Sequence, residues 1–193
     1  MKKLGKFSNV HQIVEYIINM YVKEDFICVD GTLGNGFDSL KILSKLSNKG
    51  SLYSFDIQKE AILKSEKLIN SASLRNKNYH LICDSHENVR EYVKETIDFF
   101  ILNLGYLPGG DKSITTDYNS VSKFLKNIKY ITNEGGVGII VFYPGHESGK
   151  IELDNISEIL TNYDQKCYNI LEIKFINQKN NPPMVYRIEK IKI

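Results

Sequence analysis

The stretch Phe26-Ile27-Cys28-Val29-Asp30-Gly31-Thr32-Leu33-Gly34-Asn35-Gly36-Phe37-Asp38 decides how the rest of the chain is read. Its first five residues are a short apolar run ending in a carboxylate. Three glycines then mark a turn before a segment with apolar residues at Leu40, Ile42, Leu43 and Leu46. A run of this length bounded by turn residues reads as a buried strand, and recurrence three and four residues apart reads as a helix. Glycines between a strand and a helix permit backbone angles and a close ligand approach that side chains would block. The turn therefore suits either a nucleotide-type ligand or a tight structural bend, and taken alone it leaves both open. Asn48-Lys49-Gly50 stops the helix and residues 51–56 supply a second strand.

Upstream, Val10, Ile13, Val14, Ile17, Ile18 and Tyr21 recur at helical spacing. Downstream, the pattern predicts helices over 59–70, 87–93, 120–132 and 149–162. Strands are predicted over 79–83, 97–103, 135–143, 168–176 and 184–191. Strands alternating with helices require crossover connections, hence an α/β fold with a mostly parallel sheet covered by helices on both faces. The last two of the seven strands are joined by a polar loop containing Asn180-Asn181-Pro182-Pro183 rather than by a helix, so the final strand is expected to run antiparallel. No linker or internal repeat is visible, and residues 1–193 read as one domain with an N-terminal helix.

With 42% hydrophobic and 25% charged residues among 193, the composition is that of an ordinary globular protein. Cys28, Cys83 and Cys167 are far apart and set among apolar neighbours, which predicts buried reduced thiols and neither a disulfide frame nor a zinc site. No metal is expected. Residues 1–9 carry three lysines without the apolar run of a signal peptide, and no stretch is long and apolar enough to span a membrane, so a cytoplasmic location is expected. A net charge of +2 does not by itself identify a nucleic-acid partner, since phosphate affinity follows clustered charge. Local basic groups occur at Lys2, Lys3 and Lys6, at Lys123, Lys126 and Lys129, and at Lys174, Lys179, Arg187, Lys190 and Lys192. They read mostly as solvated faces.

Asp56 closes the second strand about 20 residues beyond the glycine turn, where a carboxylate can accept the hydroxyls of a ribose. Asp30, at the end of the first strand, would repel a pyrophosphate but attract a ligand carrying sulfonium and ammonium groups, which favours S-adenosylmethionine over a nicotinamide cofactor. Asp84-Ser85-His86 follows the third strand, where polar contacts to an adenine are expected. His86 also reads as a simple neighbour of a helix cap.

After the fourth strand comes Asn103-Leu104-Gly105-Tyr106-Leu107-Pro108-Gly109-Gly110-Asp111-Lys112, at the carboxyl end of the sheet where ligands of open α/β folds gather. It resembles the Asn-Pro-Pro-Tyr motif of amino-methyltransferases, with Leu104 and Gly105 in place of both prolines. An attacking nitrogen must present its lone pair in line with the methyl group, and acceptors on its protons orient it. Tyr143-Pro144-Gly145-His146 ends the fifth strand. Tyr143 and His146 there suit stacking on or hydrogen bonding to a nucleobase, and His146 also suits taking a proton from an ammonium group; a turn with a solvated imidazole is the plainer reading.

Together these blocks, with Phe55-Asp56-Ile57-Gln58 and Asn180-Asn181-Pro182-Pro183, resemble the MnmM (YtqB-type) methyltransferases, also labelled rRNA methylases. The resemblance runs from about residue 26 to about residue 187 and implies a Rossmann-like class I methyltransferase fold. It implies S-adenosylmethionine-dependent methylation of 5-aminomethyl-2-thiouridine at the tRNA wobble position, giving the methylaminomethyl form, with the tRNA anticodon region as partner and a possible homodimer. It further implies that Gly34, Asn35, Gly36, Phe37 and Asp38 line the methionine side of the cofactor, Asp56 and Gln58 the ribose and adenine, and Ser85 and His86 the adenine. Asn103 and Tyr106 would face the methyl acceptor. The family's loop often begins Ala-Thr where this chain has Gly31-Thr32, and Phe37 stands where the family has histidine. Alternatives are methylation of rRNA or another amine, a nicotinamide-dependent oxidoreductase, and a non-catalytic RNA-binding module.

Overall fold

The computed structural model describes residues 7–105, 117–145 and 147–192. The elements run in the order α1 (Val10–Tyr21), β1 (Ile27–Asp30), α2 (Phe37–Lys45), β2 (Ser51–Phe55), α3 (Lys59–Ser71), β3 (Tyr79–Ile82), α4 (Val89–Tyr92), β4 (Ile97–Leu104), α5 (Tyr118–Ile131), β5 (Thr132–Phe142), α6 (Glu147–Thr161), β6 (Tyr168–Ile173) and β7 (Met184–Lys190). A 3-10 turn, His86–Asn88, precedes α4.

The seven strands form one sheet in the order β3-β2-β1-β4-β5-β7-β6, in which β7 alone pairs antiparallel, with β5 on one side and β6 on the other. Strand alternation sends neighbouring side chains to opposite faces. Phe99, Ile101, Val137, Ile139 and Val141 join the buried faces of α1 and α2, while Phe100, Leu102, Leu104, Ile140 and Phe142 join those of α5 and α6. Gly138 lies under the Phe100 ring, which occupies the space any side chain at 138 would need. The chain winds one way through β1, β2 and β3 and the other way through β4 and β5. The switch therefore falls between β1 and β4, and it is at the carboxyl ends of the strands flanking such a switch that open α/β sheets bind their ligands.

Local signals account for the helix starts. Asn9 caps α1 by accepting from the Gln12 backbone N–H at 3.1 Å, and the Gln12 side chain reaches back to the Ser8 N–H at 2.7 Å. Gly36 caps α2 in a left-handed conformation, with φ of 79°.

Three expectations are corrected. Cys83 is exposed rather than buried, because it lies just past β3, at the edge of the sheet; Cys28 is buried and Cys167 half-buried. Arg187 and Lys190 are not solvated. The Arg187 guanidinium lies over the Tyr21 ring, 4.8 Å from its centroid, and pairs with Glu189 at 2.9 Å. Lys190 donates to the Lys129 and Thr132 carbonyls at 3.1 and 2.8 Å, satisfying the carboxyl end of α5. Finally, β6 stops at Ile173, short of Ile176, which is 89% exposed beside a loop in which Asn180 and Asn181 adopt positive φ. Lys2, Lys3 and Lys6 lie outside the described residues.

Candidate active site

The glycine turn is held at both ends. The Gly31 N–H donates to the Ile101 carbonyl at 2.9 Å and the Leu33 N–H to the Phe55 carbonyl at 2.8 Å, tying the loop across β1 to β4 and β2. Gly34 and Gly36 both have positive φ, and a side chain at Gly36 would run into Ser65 of α3. The loop thus curls inward, with Gly34, Asn35 and Asp38 half-buried and Phe37 62% exposed at its lip.

Asp56 sits half-buried beyond β2, and both its oxygens are oriented by backbone: Oδ2 accepts from the Gly34 N–H and Oδ1 from the Gln58 N–H, each at 2.9 Å. A carboxylate oxygen has two lone pairs, so each retains one for a hydroxyl donor. Gln58 is the N-cap of α3 and makes no side-chain cap bond, and Ile57 between them is 59% exposed.

Asp30 is placed differently from the expectation that it faces a ligand. It is 1% exposed, and its oxygens accept from the Thr32 N–H at 3.0 Å and the Ser39 hydroxyl at 2.6 Å; Ser39 in turn contacts Ser54 at 2.8 Å. Burial, opposed by the Ser39 hydrogen bond and assisted by the nearby Asp38 and Asp56, pushes its pKa up to about 7. Through these bonds it ties the glycine turn to α2.

Ser85 caps the 3-10 turn through the Glu87 N–H at 3.4 Å. The neighbouring Asp84 accepts from the Tyr92 hydroxyl at 2.8 Å and from Asn88, which hold its carboxyl below the usual range. His86 is 7% exposed and edge-on to Phe124, and its Nε2 has no partner among the described residues. Burial lowers its pKa to about 4, so the ring is neutral at physiological pH.

These two buried groups have opposite effects on stability. Asp30, whose folded pKa of about 7 exceeds its ordinary 3.8, stabilises the fold at low pH and loses that contribution as pH rises through 7. Neutral His86 contributes above about 6.5 and loses it as pH falls toward 4. Each limit is on the order of 3 to 4 kcal/mol. Replacing Asp30 by Asn removes the first component, so in urea melts the variant should gain on the wild type by about that amount between pH 4 and pH 8. A difference independent of pH would show that Asp30 titrates normally.

Around Asn103, β4, α2 and the end of β5 come together. The Asn103 backbone N–H donates to the Thr32 hydroxyl at 2.6 Å, and its side-chain Nδ2 donates to Asp38 Oδ2 at 3.2 Å. Asp38 Oδ1 pairs with Lys41 at 3.3 Å. Tyr143 lies at the end of β5 with its ring beside Gly105; burial and the Asp38 charge push its pKa to about 12, leaving a neutral phenol. Tyr106 and His146 lie outside the described residues, as do residues 107–112. The structure therefore brings together Gly34, Asn35, Gly36, Asp38, Asp56 and Asn103, with Asp30 and His86 buried beside the loop.

Sequence reading missed Thr32, Ser39, Ser54, Ser65 and Lys41. The only available signal was a serine interrupting the apolar run Leu52-Tyr53-Ser54-Phe55. Among the described residues, no cluster of His, Cys, Asp or Glu is arranged to hold a metal ion, and no helix is long and apolar enough to cross a membrane.

A family described as "Putative rRNA methylase" matches residues 52–189, a span that includes Asp56, Asn103 and Tyr143. The chain belongs to that family. A "tRNA (mnm(5)s(2)U34)-methyltransferase" of Arabidopsis thaliana chloroplasts is 27% identical over 188 residues, covering 93% of this chain and 69% of that protein. A crystal structure of the same rRNA-methylase description, from Clostridium thermocellum, superposes with a TM-score of 0.92 at 34% identity, covering 96% of this chain and 99% of that one. A "putative methyltransferase" from Streptococcus mutans in complex with SAH gives 0.86 at 28% identity, covering 95% and 99%. The fold is that of the class I methyltransferases.

Proposed function

We propose that this protein transfers the methyl group of S-adenosylmethionine to an amine nitrogen of RNA, and specifically to 5-aminomethyl-2-thiouridine at the tRNA wobble position. The observation that carries the reading is the Asn103 amide. With Nδ2 donating to Asp38, the oxygen is the end of the amide turned away from that carboxylate and has acceptor capacity for an incoming N–H. The name of the Arabidopsis relative supports the tRNA substrate, and the SAH complex of the Streptococcus protein supports the cofactor.

The residues present fit that cofactor. Gly36 packs directly against Ser65 of α3, which holds the curl of the loop that carries Gly34 to Asp56. Asp56 has acceptor capacity for two ribose hydroxyls, and its carboxylate beside the glycine turn disfavours a pyrophosphate. When bound, the cofactor supplies a methyl group on a positively charged sulfur. Asn103 Oδ1 accepts an N–H of the amine and so turns the nitrogen lone pair toward that methyl. As the N–C bond forms, the S–C bond breaks and SAH leaves, while the nitrogen's surplus proton passes to solvent. The family resemblance assigns Tyr106 to the acceptor side, and His146 is of a type suited to a base or its proton; both lie outside the described residues.

Purified protein should convert the aminomethyl wobble nucleoside of precursor tRNA to the methylaminomethyl form, read by nucleoside mass spectrometry with isotopically labelled cofactor. No such product from protein that binds SAH would end the tRNA reading. The family description favours one second reading, methylation of rRNA, and the label appearing in rRNA fragments instead would establish it.

A further inference from the structure

We propose that Asp38 is a positioning residue that acts through Asn103, fixing which end of the Asn103 amide meets the methyl acceptor. This rests on the amine reading above. Asp38 occupies the first turn of α2, and its Oδ2 receives the Asn103 Nδ2 proton at 3.2 Å across 65 residues of sequence. Lys41, one turn further along α2, pairs with Oδ1 at 3.3 Å.

An ionised carboxylate accepts hydrogen bonds and cannot donate them. Asp38 therefore selects one of the two orientations of a group whose ends are nearly equal in size. The choice matters chemically. An amide oxygen facing the acceptor takes an N–H and leaves the amine lone pair directed at the methyl group. A flipped amide would present N–H donors instead, and those would bind the very lone pair that has to attack. The Asn103 main chain is already fixed by Thr32, so the rotation of this one amide is the freedom Asp38 removes. The competing role for Asp38 is direct contact with the ammonium end of the cofactor.

A double-mutant cycle separates the two roles. Asp38→Ala should lower kcat about tenfold to a hundredfold with tRNA while leaving SAH affinity and the KM for tRNA within about twofold. In an Asn103→Ala background the same change should have no further effect on kcat. Asp38→Asn, which can still offer an oxygen to Nδ2 when suitably turned, should retain intermediate turnover, and SAH binding confirms that each variant is folded. Weakened SAH binding in Asp38→Ala, or an effect that multiplies with that of Asn103→Ala, would overturn the proposal and assign Asp38 to the cofactor. Full turnover by Asn103→Ala would overturn the proposal together with the reading of the site. The hydrogen bond is also readable without any acceptor: in SAH-bound protein, Asp38→Ala should shift the Asn103 side-chain amide NMR signals, and unchanged signals would refute the contact even if the substrate proves to be a different RNA.

Discussion

Asn103→Ala is expected to lower kcat for methyl transfer about a hundredfold while SAH affinity changes less than about twofold. The magnitude follows from what the side chain is asked to do. Methyl transfer between a sulfonium and an amine depends on alignment of the attacking lone pair, and misplacement by about 1 Å costs on the order of a hundredfold. The backbone should survive the change, because the bond that locates residue 103 runs from its main-chain N–H to the Thr32 hydroxyl and does not involve the side chain. Single-turnover kinetics with saturating tRNA would measure the chemical step directly. Undiminished turnover would remove Asn103 from the acceptor site.

Gly36→Ala should abolish most cofactor affinity and destabilise the fold. An alanine methyl at this position would stand 2.5 Å from Ser65 Oγ and 2.8 Å from Ser65 Cβ, on a backbone with φ of +79° that only glycine adopts freely. Strain of both kinds is expected to cost about 2 to 3 kcal/mol, or on the order of 4 to 12 °C in Tm for a chain of this size. Moving α3 away to relieve the clash would draw Ser65 off the Gly34 carbonyl, which it holds at 3.3 Å, and disturb the Gly34 N–H that orients Asp56. SAH affinity should therefore fall by at least about tenfold. Adding Ser65→Gly should recover the part of the loss due to collision but not the part due to φ, and calorimetric titration with SAH would read both. An unaltered affinity in Gly36→Ala would mean that the loop does not line the cofactor.

Most of the framework was legible because it is written in local signals. Period-2 and period-3.6 apolar patterns give each strand and helix within a few residues, and the missing helix before Met184 gives the antiparallel strand. What escaped depends on residues far apart in sequence. Lys190 in a strand of mixed polarity reads as a solvated cation, and nothing local reveals that the carboxyl end of α5, about 60 residues earlier, needs its protons. Asp30 reads as a charge facing a ligand because it ends a strand beside the glycine turn; only the packing of Ser39 and Thr32 around it shows a carboxyl turned inward. Asn103 stood out in the sequence as a polar residue at the carboxyl end of the apolar run that forms β4. Its partner Asp38 was legible only as part of the glycine turn, since a contact spanning 65 residues leaves no trace in either neighbourhood.

The place of β7 between β5 and β6 has a consequence for synthesis on the ribosome. The strands β1 to β5 can pair as they emerge, but β6 follows with no neighbour available to it, and β5 keeps an open edge of apolar strand until residues 184–190 are made. Unpaired apolar edges invite pairing with other chains. The nascent protein thus passes through an interval in which the apolar half of β5 is paired on one side only, and pauses in translation after β6 should lengthen that interval and increase aggregation and the demand for chaperones.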